Sequence, residues 1–289
     1  ALDGAVVKSM DEINSYDKLK EVVEDMTAKK KDLGIDGVFA STSLKPGEDW
    51  RWQTHLANLP IYYEYKDNKV SDMDKIEFKY AENYKNILDL YMDNSVSEKG
   101  LLGSVDVATS MAEFALGQCA MVQNGNWAWS QISEVDGNTV KAEDIKFMPI
   151  YFGVDDENEG LCTGTENFWC INSQASKEDI QATKDFLTWL TTDSEGKAYM
   201  YKSTDDGGLG NAAPFTTFGE DERSSDPLAM YKWMESGKTS VSWNFTTFPS
   251  QTFKDDFGAA LLEYANGNMS FDKVEKQVVD EWASEKGAN

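Results

Sequence analysis

The chain has 289 residues, with 51 acidic and 27 basic side chains and a formal net charge of −24 at pH 7. This length is enough for one large or two modest domains, each with its own hydrophobic core. The negative charge disfavours nucleic acid and anionic membrane surfaces as partners, and no apolar run approaches the roughly 18 residues that span a bilayer.

Helices and short strands alternate along the first half of the sequence. Apolar residues at helical spacing from Leu19 to Met26 predict a helix that stops near Gly34. The apolar run 37–40 predicts a short buried strand, and a loop with Pro46 follows it. Later elements are expected as helices over 80–91 and 108–115 and as strands over 119–123 and 146–150.

The second half predicts a strand pair followed mainly by helices. The strand pair is expected over 161–172, where Cys162 and Cys170 either form a disulfide or stay free thiols. Helices are expected after the caps Ser176 and Asp193, from Asp226-Pro227, over 253–264 and after the cap Ser270. This alternation places the chain in the α/β class.

The sequence lacks the residue patterns of the common catalytic and metal sites. Three cysteines and a single histidine, His55, suggest no zinc cluster, and a hydrogen-bonded structural role is favoured for His55. The acidic loop 155–160 does not have the spacing of a calcium loop and is interpreted as a solvated turn. We therefore expect no catalytic residue, no metal, no cofactor and no enzyme activity.

Aromatic residues are unusually abundant, with 9 Trp, 12 Tyr and 14 Phe. Aromatic rings that are not needed in the core suit sugars, because the apolar face of a pyranose stacks on a ring while its hydroxyls bind carboxylates and amides. Two alternatives stay open. Glu48 and Asp49 beside Trp50 keep a glycan hydrolase with paired carboxylates possible, although adjacent residues seldom flank one scissile bond. Exposed aromatics could also serve a non-catalytic protein-interaction scaffold.

One segment carries a resemblance to a known family. Residues 113–132 read Glu-Phe-Ala-Leu-Gly-Gln-Cys-Ala-Met-Val-Gln-Asn-Gly-Asn-Trp-Ala-Trp-Ser-Gln-Ile. This segment resembles family 1 extracellular solute-binding proteins of carbohydrate ABC transporters, which are maltose-binding-protein-like, and residues 182–196 are similar to a second element of that family. The resemblance implies a periplasmic-binding-protein-like type II fold with two lobes and a hinge.

The resemblance also implies a division of the chain. Residues 1–148 and 221–289 would form the C-terminal lobe, and residues 149–220 would cross into an N-terminal lobe. Members begin with a secretion signal, often with a lipid-bearing cysteine, and then about 100 residues of N-terminal lobe. Since neither precedes these residues, we expect that the N-terminal lobe is incomplete here.

The implied function is extracytoplasmic capture of a sugar or oligosaccharide and its delivery to an ABC transporter permease. Full-length members would be cell-surface lipoproteins that touch the membrane only through the lipid anchor. Trp127 occupies the family's sugar-stacking position. The remaining expected ligand contacts, for which core packing stays an alternative, are Trp50, Glu48, Asp49, Glu166, Asn167, Phe168 and Phe253.

Overall fold

The computed structural model describes residues 4–154, 159–164, 168–202, 206–211, 215, 217–219, 222 and 237–287. Helices dominate these residues, and one small parallel sheet accompanies them. The α-helices are α1 Tyr16–Ala28, α2 Lys30–Leu33, α3 Asn58–Asn68, α4 Ala81–Asp93, α5 Val107–Ala115, α6 Ala128–Ser133, α7 Lys177–Thr192, α8 Ser194–Tyr201, α9 Gln251–Ala265 and α10 Phe271–Glu285. The strands are β1 Glu159–Thr163 and β2 Thr239–Ser242.

The helices predicted from apolar spacing and caps are confirmed within the described residues. The Ser15 side chain accepts a hydrogen bond from the Lys18 backbone N–H at the start of α1, and Ser176 and Asp193 cap α7 and α8 in the same way. Ser270 stands at the N-cap position of α10, but its side chain makes no capping hydrogen bond. The helix expected from Asp226-Pro227 lies outside the described residues.

The strand predictions are only partly correct. β1 pairs in parallel with β2, with Cys162 opposite Val241, so the expected strand pair over 161–172 is wrong. Its partner lies more than 70 residues away in sequence, and Cys162 and Cys170 are both free thiols. The strand expected over 146–150 is absent from the described secondary structure.

The predicted strands over 37–40 and 119–123 are reduced to single bridges. Phe39 forms isolated parallel bridges with Ser95 and Met121. The backbone around it is nevertheless well paired, since the Ala40 N–H donates to the Met121 carbonyl at 2.8 Å and the Val96 N–H donates to the Phe39 carbonyl at 3.0 Å. The two segments therefore lie side by side without forming a regular sheet.

The main core joins the first hundred residues to the last fifty. The Trp282 indole N–H in α10 donates to the Met73 carbonyl at 2.9 Å, and the Tyr264 hydroxyl in α9 donates to the Asp89 carboxylate in α4. A smaller cluster lies between α5 and α6. The division of the chain at 148/149 and 220/221 stays a prediction. Within the described residues, no helix is long and apolar enough to cross a membrane.

Candidate functional site

Five rings from three separate parts of the chain meet in one place, and we call them the aromatic cluster: Trp50, His55, Trp127, Trp243 and Phe245. His55 lies at the centre. Its ring centroid is 4.8 Å from that of Trp50, 5.8 Å from that of Trp127 and 4.7 Å from that of Trp243. The Trp50 and Trp127 centroids are 6.2 Å apart with an interplanar angle of 41°. The cluster therefore combines three indoles around one imidazole.

A short π-helix holds the first two rings. It runs Arg51–Leu56, directly after Trp50, and all six of its residues are buried. The Trp52 indole N–H donates to the Ser43 carbonyl at 3.1 Å, and the Tyr84 hydroxyl donates to the Trp52 carbonyl at 3.0 Å. Because this segment is fixed in the core on both sides, Trp50 and His55 have a rigid base.

Trp127 lies on a turn that its own neighbours define. The Asn124 side-chain oxygen accepts a hydrogen bond from the Gly125 N–H at 2.9 Å, and the Ala128 N–H donates to the Gly125 carbonyl at 3.0 Å. The indole packs directly on Gly125, where an added Cβ would lie 2.2 Å from the ring. Trp127 is 39% exposed, so a large part of its ring is open to solvent.

Asn58 fixes the third indole by binding the backbone on both sides of Trp243. Its side-chain N–H donates to the Ser242 carbonyl at 2.9 Å, and its side-chain oxygen accepts from the Asn244 N–H at 2.6 Å. Asn58 is fully buried in α3. Trp243 itself is half-buried.

We expect Asn58→Ala to lower the free energy of unfolding by about 2 kcal/mol, because it removes both hydrogen bonds that this fully buried side chain makes to the backbone on either side of Trp243. Urea unfolding followed by circular dichroism measures this change. Asn68→Ala is the matched control, since Asn68 lies at the exposed end of the same helix and makes one bond to the Glu64 carbonyl. Equal losses in the two variants would contradict the role given to Asn58.

Polar groups border the cluster on the Trp50 side. The Arg51 guanidinium lies 3.9 Å from the centroid of the Trp50 ring and donates through Nη2 to the Asn124 side-chain oxygen at 3.0 Å. Asn124 also donates to the Gln131 side chain at 3.1 Å, and the Gln123 side chain donates to the Arg51 carbonyl at 3.0 Å. Hydrogen-bonding amides therefore lie next to the open aromatic faces.

The structure corrects two of the expected contacts. Phe253 is 1% exposed and packs on Phe248 and Trp282, so it has no face open to a ligand. Asp49 is 5% exposed, with its carboxylate against the backbone of Gly258 in α9, and burial raises the pKa of this carboxyl. Both residues belong to the interior, and we remove them from the candidate site.

The other expected contacts have different outcomes. Glu48 and Trp50 are both half-buried, and Trp50 is a member of the aromatic cluster. Phe168 is 64% exposed, and within the described residues no ring contact joins it to the cluster. Glu166 and Asn167 lie outside the described residues. Trp50 and Trp127 are thus the two predicted rings that the structure brings together.

The sequence did not point to His55, Trp243 and Phe245 as site residues. His55 is in an apolar stretch typical of core positions, and the structure does bury it to 8% exposure. The Trp243-Asn244-Phe245 segment contains two aromatics close together, the same kind of signal as Trp50 and Trp52. No group of residues suited to hold a metal ion occurs in the described part of the chain.

Comparisons with known proteins agree with this architecture. Residues 2–222 match a family model described as bacterial extracellular solute-binding protein. The chain is also similar to a solved structure, with a TM-score of 0.54 and 15% sequence identity. That structure was reported under the description of biochemical and structural insights into xylan utilization by the thermophilic bacterium Caldanaerobius polysaccharolyticus. That match covers 92% of this chain and 65% of the other. A search of curated proteins finds no match. These findings confirm the resemblance and the α/β solute-binding-protein fold predicted from the sequence.

Proposed function

Since the chain belongs to the bacterial extracellular solute-binding protein family, we propose that it captures a saccharide on the aromatic cluster and delivers it to an ABC transporter permease. Solute-binding proteins bind their ligands and in general do not convert them, which favours capture over hydrolysis. The xylan-utilization context of the similar structure supports a carbohydrate as the solute.

The observation that carries this proposal is the pair of Trp50 and Trp127. Both rings retain open surface in a region otherwise closed by core packing, and their centroids are 6.2 Å apart. Ring faces of this kind stack on the C–H face of a pyranose, and we propose Gln123 and Asn124, which both hydrogen-bond to Arg51 next to Trp50, as partners of its hydroxyls. Glu48 and the exposed Phe168 stay proposed contacts at the rim.

Transport requires a change of shape that the permease can recognise. We propose that two lobes close on the bound sugar by a hinge, and that the closed form engages the permease. The family description supports a location outside the cytoplasm. Attachment to the cell surface through a lipid-bearing cysteine is part of the same proposal.

A saccharide panel tests the proposal. The protein is titrated with neutral and acidic mono- and oligosaccharides in a calorimeter, and each mixture is then analysed for cleavage products. Binding without products is the expected result. Products would indicate a glycan hydrolase, and a protein that binds no saccharide in the panel would contradict the proposed function.

Gly125→Ala provides a separate check on the orientation of Trp127. The added methyl group would overlap the indole, so the ring must turn away from its present position. We expect saccharide binding to weaken by about 1 kcal/mol, roughly fivefold in Kd, measured by calorimetry. Gly100→Ala is a control away from the site, where a Cβ meets no atom within 4 Å and the backbone is not in the left-handed region. Unchanged affinity in Gly125→Ala would contradict the assigned ring position.

A further inference from the structure

Among the described residues, Arg51 is a buried cation that pairs with no carboxylate. It is 2% exposed and makes no ion pair with any described residue. Its side chain has one hydrogen bond, from Nη2 to Asn124, while Nε and Nη1 are buried and have no hydrogen-bond partner among the described residues. The guanidinium thus has two free donors in the interior of the candidate site.

A charge in this state is costly unless something compensates it. Burial lowers the pKa of Arg51 to about 10, and the negative charge of Glu48 acts in the opposite direction, so the guanidinium is still protonated at pH 7. The chain has 51 acidic residues, yet no described carboxylate pairs with this cation. No carboxylate of the described residues compensates this charge, and an anionic ligand could do so.

An unused acceptor belongs to the side chain that binds the Arg51 backbone. The Gln123 side chain donates to the Arg51 carbonyl, and its own oxygen Oε1 is buried without a hydrogen-bond partner among the described residues. Together, Arg51 and Gln123 offer N–H donors and a carbonyl acceptor to one molecule. A carboxylate next to a hydroxyl group has the matching acceptors and donor.

Trp50 lies against the guanidinium of Arg51. Its ring lies over the guanidinium at 3.9 Å and is half-exposed. Within the described residues its indole N–H makes no hydrogen bond, and the ring is held by its contacts with Arg51, His55 and Trp127. The ring can therefore move relative to Arg51 without breaking a hydrogen bond among the described residues.

We propose that the aromatic cluster selects a saccharide that carries a carboxylate, a uronate, and that Arg51 binds this carboxylate while Gln123 accepts a neighbouring hydroxyl. The inference rests on the proposed function and gives its substrate class. Trp50 and Trp127 stack on the sugar rings, and Arg51 provides the discrimination between acidic and neutral sugars.

Matched ligands test the inference on the full chain. Trigalacturonate is compared with its methyl ester, and a glucuronate-bearing xylo-oligosaccharide is compared with the neutral xylo-oligosaccharide of equal length, all by calorimetry. At least one acid is expected to bind tenfold or more tightly than its neutral counterpart. Equal binding, or preference for the neutral members, would overturn the inference and leave the proposed function intact.

Variants separate the carboxylate contact from a structural role. Arg51→Gln is expected to lower the affinity for the acid about tenfold more than the affinity for the neutral sugar, which loses only the support that Arg51 gives to Trp50. Arg51→Lys keeps the charge and should retain part of the preference. Lys45→Gln removes one exposed positive charge from the same loop and should change neither affinity. If Arg51→Gln weakens both ligands equally, the inference fails; if no saccharide binds the unmodified protein, the proposed function fails with it.

Discussion

Trp127→Ala is expected to weaken saccharide binding by about 2 kcal/mol, roughly thirtyfold in Kd, with little loss of fold stability. The ring is 39% exposed and packs on Gly125 and Trp50, so its removal takes away a stacking surface and leaves the main core intact. Calorimetry with a saccharide that binds the unmodified protein measures the affinity. Thermal unfolding, expected to change by no more than about 1 kcal/mol, measures the stability.

Trp189→Ala is the matched control for this prediction. Trp189 is a half-buried indole in α7 that contacts Phe186 and Tyr199 and makes no ring contact with the aromatic cluster. This variant should bind saccharide normally. A Trp127→Ala protein that unfolds, or that binds as tightly as the Trp189→Ala protein, would show that the exposed indole is not the stacking surface.

Helices could be predicted because their signals are local. In α1 the apolar residues repeat every three to four positions and Ser15 caps the first turn, so about a dozen consecutive residues define the element. The same holds for α10, where Phe271, Val274, Val278 and Trp282 all face the core. A short window of sequence contains the whole pattern in both cases.

Strand pairing is not local, and the sequence could not supply it. Residues 161–172 were predicted to be a strand pair because residues suited to a second strand follow the first at once. The actual partner is β2, and the parallel pairing depends on tertiary packing near Trp243 and Asn58. The bridges at Phe39 likewise depend on two segments distant in sequence, Ser95 and Met121.

The candidate site was predictable only where a motif marked it. Trp127 is in a segment long enough for the family resemblance to be recognised. Trp50 was predicted as a sugar contact because acidic and aromatic residues lie next to it in the sequence. Phe253 was misjudged because residue type does not show which side of a helix faces the core, although its spacing to Phe257 and Leu261 already indicated the buried side. His55 and Trp243 join the site through the fold alone.

The loop that carries Trp50 depends on a glycine in α9. An added Cβ at Gly258 would lie 1.9 Å from Oδ2 of Asp49 and 2.8 Å from its Cγ. Asp49 begins the turn that becomes the π-helix, since the Trp52 N–H donates to its carbonyl at 2.9 Å. The close approach of α9 to this loop therefore requires a residue without a side chain.

Gly258→Ala is expected to lower the free energy of unfolding by about 3 kcal/mol, because the methyl group has no space and must displace a buried carboxylate. Urea unfolding measures the loss. Gly100→Ala is the control, since a Cβ there meets nothing within 4 Å and should cost nothing. Equal stability of the two variants would contradict the packing assigned to Gly258.

A second substitution identifies the cause of the loss. Asp49→Ala removes the carboxylate that the new methyl group would meet. The double variant with Gly258→Ala should therefore lose less unfolding free energy than the sum of the two single losses, by at least about 1 kcal/mol. Additive losses would instead indicate a general disturbance of α9. Because the displaced carboxylate lies next to Trp50, the coupling also predicts that Gly258→Ala weakens saccharide binding and that the double variant recovers part of it.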